Sequence, residues 1–138
     1  MTILRSALYM PGINQKAMDK ALKLDCDAVI LDLEDAVDVS KKEESRQLVK
    51  RQIENNDYGS KQVVVRVNDL NTKWGESDVA AFANSRIQAI LVPKVSEIGD
   101  VSRIAEVLNE HGSELPVWIM VETPLAIINI NELARQPR

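Results

Sequence analysis

The sequence predicts a parallel α/β fold, and three observations carry the prediction. Apolar segments rich in Val, Ile and Leu recur nearly five times, at a spacing of roughly 25 to 30 residues, with helical periodicity between them. Residues 28–33 are continuously apolar apart from Asp32, as in a strand buried on both faces of a parallel sheet. Polar residues gather where these segments end, on the side where parallel α/β folds carry their functional loops.

Each element has a local cause. Residues 4–9 are a short apolar run stopped by Pro11-Gly12, and Asn14 opens a helix that turns Ala17, Ala21, Leu22 and Leu24 inward. Residues 28–33 form the second strand. Ser40 followed by Glu43 reads as a capping box for a helix running to about Asn55. That helix carries Leu48, Val49 and Ile53 on one side and Lys and Arg on the other. Val63, Val64, Val65 and Val67 make a β-branched third strand, followed by a polar loop over 68–75 and a small helix from about Ser77 to Asn84. Residues 87–92 give the fourth strand, stopped by Pro93. A helix from about Ile98 to His111 follows, with Gly112 where a C-terminal cap wants it. Residues 116–121 give the fifth strand, and a last helix starts at Pro124.

This alternation fits two architectures: a doubly wound five-stranded sheet, or the first five units of an eightfold barrel, which typically needs about 250 residues. The stop at Glu132 to Arg138, inside a helix and its exit turn, favours the barrel, with residues 1–138 as the N-terminal portion of one domain.

Composition excludes several classes. With 45% hydrophobic and 28% charged residues and a formal net charge of −4, the chain has the balance of one globular domain. No apolar run reaches the roughly 18 to 20 residues of a membrane span, and residues 1–5 lead into no signal-peptide segment, so no membrane partner and a cytoplasmic location are expected. Acids and bases are interspersed, without the basic stripe of a nucleic-acid binder. The single cysteine, Cys26, excludes an internal disulfide or a cysteine metal cluster and reads as a small packed residue.

The strand ends carry the candidate chemistry. Asp32 and Glu34 alternate to one side of the second strand, and a carboxylate interrupting an apolar strand is costly unless it has work or a partner. Arg66, between Val65 and Val67, must find anions: a salt bridge to Asp32 or Glu34, a substrate oxygen, or both. Glu122 closes the fifth strand and suits an oxygen ligand for a hard cation such as Mg²⁺, or a partner for Lys94 or Arg66. Lys94 reads as a cap on this rim, and Asp35 faces the other way or lies in the loop. Lys16 and Lys20, at i and i+4 on the first helix, suit either phosphates or solvent. The lone histidine, His111, ends a helix, where its charge would complement the helix dipole. There is no Ser/His/Asp set, GxxxxGK loop or GxGxxG.

Five ordered motifs then stand out: residues 5–12 (RSALYMPG), 31–37 (LDLEDAV), 65–68 (VRVN), 91–95 (LVPKV) and 121–124 (VETP). In this order and spacing the chain resembles the citrate lyase beta subunit family of CoA-ester lyases, within the HpcH/HpaI aldolase superfamily. The resemblance implies a TIM (β/α)₈ barrel, present as about five βα units, and Mg²⁺-dependent cleavage of a citryl-, malyl- or citramalyl-CoA type thioester to acetyl-CoA and a 2-oxo acid. It implies Glu122 as a Mg²⁺ ligand, Arg66 on the reacting oxygens, and Glu34 working with, or holding in place, the catalytic apparatus, with Asp32, read from its place in the apolar strand, expected to support them. It implies Tyr9, Lys16 and Lys20 at the CoA ester, and an acyl carrier protein or lyase subunits as further partners. A second metal-binding aspartate and an acid–base aspartate of the family have no counterpart in residues 1–138, so this chain alone is expected to show no turnover. An open half-barrel leaves a sheet edge free, and a homo-oligomer is expected. Malyl-CoA hydrolysis, aldol cleavage of a free acid and a noncatalytic partner-binding role are the alternatives.

Overall fold

The computed structural model describes residues 3–136, so the last part of the expected exit turn, Pro137 and Arg138, lies outside them. Five strands, β1 (Ala7–Pro11), β2 (Ala28–Asp32), β3 (Gln62–Arg66), β4 (Ala89–Val92) and β5 (Val117–Ile119), form one sheet. All pair in parallel, in the order β1-β2-β3-β4-β5. That order separates the two architectures. A doubly wound sheet reverses direction at a switch point, whereas a barrel adds each strand beside the last. The chain is therefore an arc of a (β/α)₈ barrel.

Helices α1 (Gln15–Ala21), α2 (Lys42–Asn55), α3 (Gly75–Phe82) and α4 (Ile98–Glu110) return the chain between strands, and short α5 (Pro124–Ile128) and α6 (Ile130–Leu133) follow β5. The central strands β2, β3 and β4 are buried on both faces because each face meets a different layer. Val29, Leu31, Val63, Val65, Ile90 and Val92 join Met18, Val49, Phe82, Ile104 and Leu108 in the large core between sheet and helices. Ile30, Val64, Ala89 and Leu91, with Trp118 and Met120 against them, form a second cluster on the concave side, the barrel interior. Each side chain fully buried in these layers contributes about 1.5–3 kcal/mol over its exposed state.

Several local expectations shift. Asp38, not Ser40, caps the entry to α2: its carboxylate accepts from the Ser40 N–H over a 3-10 turn at Val39–Lys41, and the helix proper starts at Lys42 without a side-chain cap. The cations of α2 are not all solvated, since Lys42 and Arg46 are buried. The last helix breaks at Asn129, which caps α6 after α5. Cys26 is free and buried, and His111 sits at the C-cap of α4 with its Nδ1 at 3.0 Å from the Val107 carbonyl. No helix among the described residues is long and apolar enough to cross a membrane.

Candidate active site

Parallel pairing brings the polar residues at the strand ends together. β2 and β3 are in register with Asp32 opposite Arg66, so both side chains emerge on the concave face of neighbouring strands. Arg66 grips Asp32 with both prongs of its fork, Nε to Oδ1 at 2.7 Å and Nη2 to Oδ2 at 2.6 Å. The same carboxylate accepts the Glu34 N–H at 2.8 Å and the Ala36 N–H at 3.2 Å, which shapes the turn leaving β2. Four donors thus satisfy a carboxylate that is 2% exposed, which meets the cost of placing it in an apolar strand.

One Arg66 nitrogen lies outside this fork. Nη1 lies 3.1 Å from Glu34, 3.7 Å from exposed Asp35 and 3.7 Å from the Met120 sulfur. The guanidinium also stacks 5.1 Å above the ring of Tyr9, which projects from β1 half exposed. Burial disfavours the Arg66 charge, but the hydrogen bonds and charge of Asp32, reinforced by Glu34 and Asp35, outweigh it and raise the guanidinium pKa. Burial also raises the Tyr9 phenol, with Arg66 opposing.

The acids and bases then alternate across the rim. Buried Glu34 meets Arg66 on one oxygen and the Lys94 ammonium on the other, at 2.7 Å. These are charge contacts whose angles fall outside hydrogen-bond geometry, so both Glu34 oxygens keep acceptor capacity. The Glu34 carboxylate beside it raises the Lys94 pKa, with burial opposing. Lys94 in turn donates its main-chain N–H to Glu122 Oε1 at 2.7 Å. The series Asp32, Arg66, Glu34, Lys94, Glu122 therefore crosses four strand ends without two like charges in contact.

Beneath the rim lies a polar layer that the sequence reading left on the solvent side. Lys42 reaches from α2 to the Leu33 and Glu34 carbonyls at 2.9 and 2.6 Å, pinning the turn that carries Glu34, and burial lowers its pKa. Arg46 donates to Asp78 at 2.6 Å, and the other Asp78 oxygen accepts both the main chain and side chain of Asn68 at 3.0 and 2.6 Å. This buried triad fixes the loop leaving β3, two residues after Arg66. Asp78 is fully buried, but nothing in its local sequence pattern marks it. Lys16 and Lys20 stay exposed on α1, and neither makes a hydrogen bond or ion pair with the rim.

A family model described as HpcH/HpaI aldolase/citrate lyase matches residues 5–138. The chain belongs to that family. Among its relatives, a (3S)-malyl-CoA thioesterase of Cereibacter sphaeroides is 45% identical over 134 residues, covering 97% of this chain and 46% of the relative. A citrate lyase subunit beta of Leuconostoc mesenteroides is 30% identical, covering 94% of this chain and 45% of the relative. The chain spans about half the length of the curated relatives it matches. Among solved structures, a citrate lyase beta subunit of M. tuberculosis complexed with oxaloacetate and magnesium superposes with a TM-score of 0.76 at 25% identity, over 95% of this chain and 53% of that one.

Magnesium in that relative raises the question of what this family member offers a cation. Glu122 is exposed and has one oxygen held by Lys94, leaving Oε2 open, which fits one carboxylate ligand of a hard cation. Among the described residues no group of three or more His, Cys, Asp or Glu side chains is placed to hold a metal. Asp32 and Glu34 are committed to cations of the protein itself.

Proposed function

We propose that this chain is the N-terminal part of a Mg²⁺-dependent enzyme that cleaves a malyl-type 3-hydroxyacyl-CoA at its C–C bond, giving acetyl-CoA and a 2-oxo acid. The observation that carries the reading is the Arg66 guanidinium, locked by Asp32 through two of its nitrogens and presenting the third, Nη1, on the concave face beside Tyr9 and Glu34. In this reaction a general base takes the proton of the substrate hydroxyl, the bond between the carbinol carbon and the acetyl methylene breaks to leave the carbonyl of the 2-oxo acid, and the electron pair moves onto the thioester oxygen as an enolate, which takes up a proton at the methylene carbon to give acetyl-CoA. Arg66, fixed in advance by Asp32, places positive charge where that oxyanion develops. Glu122 would hold Mg²⁺, which when bound makes a coordinated hydroxyl easier to deprotonate. Tyr9 would flank the thioester, and Lys16 and Lys20, on the helix that follows β1, would meet the CoA phosphates from the solvent side.

Hydrolysis of the same thioester is a second reading, favoured by the 45% identity to the thioesterase. Both reactions develop negative charge on the thioester oxygen, which the fixed Arg66 guanidinium would stabilise in either case, so the products decide between them. Malyl-CoA and Mg²⁺ given to the full-length protein separate the two. Lyase action yields glyoxylate and acetyl-CoA with no free thiol, and hydrolysis yields malate and free CoA thiol. Turnover of neither malyl-, citramalyl- nor citryl-CoA would sink both readings.

A further inference from the structure

The turn between β4 and α4 holds an unusual main-chain conformation. Lys94 adopts φ 56, and among the described residues it is the one residue other than glycine with positive φ. A lysine there is strained where glycine or asparagine would not be, and such strain persists only when the surroundings over-determine it. Here the surroundings are visible. The left-handed turn aims the Lys94 N–H at Glu122 Oε1, 2.7 Å away, while the side chain runs to Glu34. Ser96 meets Thr123 hydroxyl to hydroxyl at 2.7 Å, and Asn129 donates to the Ser96 carbonyl at 2.9 Å, so the turn is bolted to the residues after Glu122. Asp100 accepts the Ser96 and Glu97 N–H groups at 2.8 and 3.0 Å and fixes its far end.

We infer that Lys94 is a positioning residue whose left-handed main chain, rather than its charge, orients the Glu122 carboxylate toward a divalent cation. The inference rests on the proposed reading of Glu122 as a cation ligand. One Glu122 oxygen is anchored by a main-chain donor whose direction is set by the conformation at residue 94, and the other is thereby presented in a fixed direction. Cation affinity then follows the tolerance of position 94 for positive φ and ignores the ammonium group.

The test is Mn²⁺ binding to the full-length protein, by calorimetry and electron paramagnetic resonance, without substrate. Lys94→Gly and Lys94→Asn, which accept the turn but lose the ammonium, should keep wild-type affinity within about twofold, whereas Lys94→Val should weaken it about tenfold or more, the usual cost of losing a group that orients a ligand. Lys94→Ala, a milder misfit, should fall between and keeps the series readable if the valine variant does not fold. Equal weakening in all four, or in none, would overturn the positioning role alone. Absence of Mn²⁺ binding by the unaltered protein would remove the cation reading of Glu122 and this inference with it.

Discussion

Asp32 is the keystone of the rim, and its removal has a calculable cost. Its carboxylate accepts two guanidinium bonds at 2.7 and 2.6 Å and two main-chain N–H bonds at 2.8 and 3.2 Å, in a site 2% exposed. Asp32→Ala leaves Arg66, itself 7% exposed, without its main partner, and breaking such a buried pair from one side costs about 3–5 kcal/mol. Asp32→Asn keeps the shape but turns an amide N–H₂ against one of the donors, at a cost of about 1–3 kcal/mol. The double variant Asp32→Ala with Arg66→Met leaves no orphaned charge and should be more stable than the sum of the single losses by at least about 1 kcal/mol. Urea unfolding followed by far-ultraviolet circular dichroism measures these three variants, the single Arg66→Met variant and the parent. An Asp32→Ala variant within about 1 kcal/mol of the parent would refute the reasoning, showing that Glu34 and Asp35 hold Arg66 unaided.

Other expectations follow from the same geometry. In the full-length protein, Arg66→Lys keeps a charge but loses the fork, so stability should fall by about 1–3 kcal/mol and kcat/KM, measured where the variant is fully folded, by at least about 100-fold; a loss under tenfold in kcat/KM would argue against an oxyanion role. Gly12→Ala sets a Cβ 2.7 Å from the Asp32 carbonyl, Ser45 Oγ and Val49 Cγ2, and should cost about 1–3 kcal/mol in the same unfolding assay. Asp27 anchors the start of β1 by accepting from Arg5 and Ser6, and the Arg5 side chain and main chain hold its carboxyl well below the usual carboxylate range. A depressed folded pKa means that this anchorage is present above the unfolded value and lost as pH falls through the folded one. Amide protection at Arg5 and Ser6, corrected for intrinsic exchange, should therefore decline on acidification below about pH 4, and should already be low at neutral pH in Asp27→Asn.

The strands were legible because burial on two faces writes apolar runs into 28–33 and 63–67, broken only by Asp32 and Arg66. Pairing order was not, since either architecture alternates helix and strand and only the hydrogen-bond ladder tells neighbours apart. The rim itself was readable from Asp32, Arg66 and Glu122, each a charge at the end of an apolar strand. Lys42 and Arg46 were misplaced for a physical reason. Their burial depends on carbonyls at Leu33 and Glu34 and on Asp78, partners 8 to 32 residues away that helical periodicity does not sense. The Asp38 cap was missed because Ser40 and Glu43 fit the usual spacing equally well, and the 3-10 turn between them left no mark in composition. Lys94 looked like an ordinary rim cation because a positive φ at a lysine has no sequence signature.

The alternation of charge across the strand ends changes how an arriving anion is received. The Nη1 nitrogen of Arg66 is balanced in advance by Glu34 at 3.1 Å and, more loosely, by Asp35 at 3.7 Å. An incoming oxyanion therefore enters by exchange, displacing a carboxylate that is already seated, and gains only the difference between the two contacts. That makes Glu34 a tethered competitor for any anion brought to Arg66. A mouth built this way holds its ligands weakly at rest and favours the species with the most concentrated negative charge.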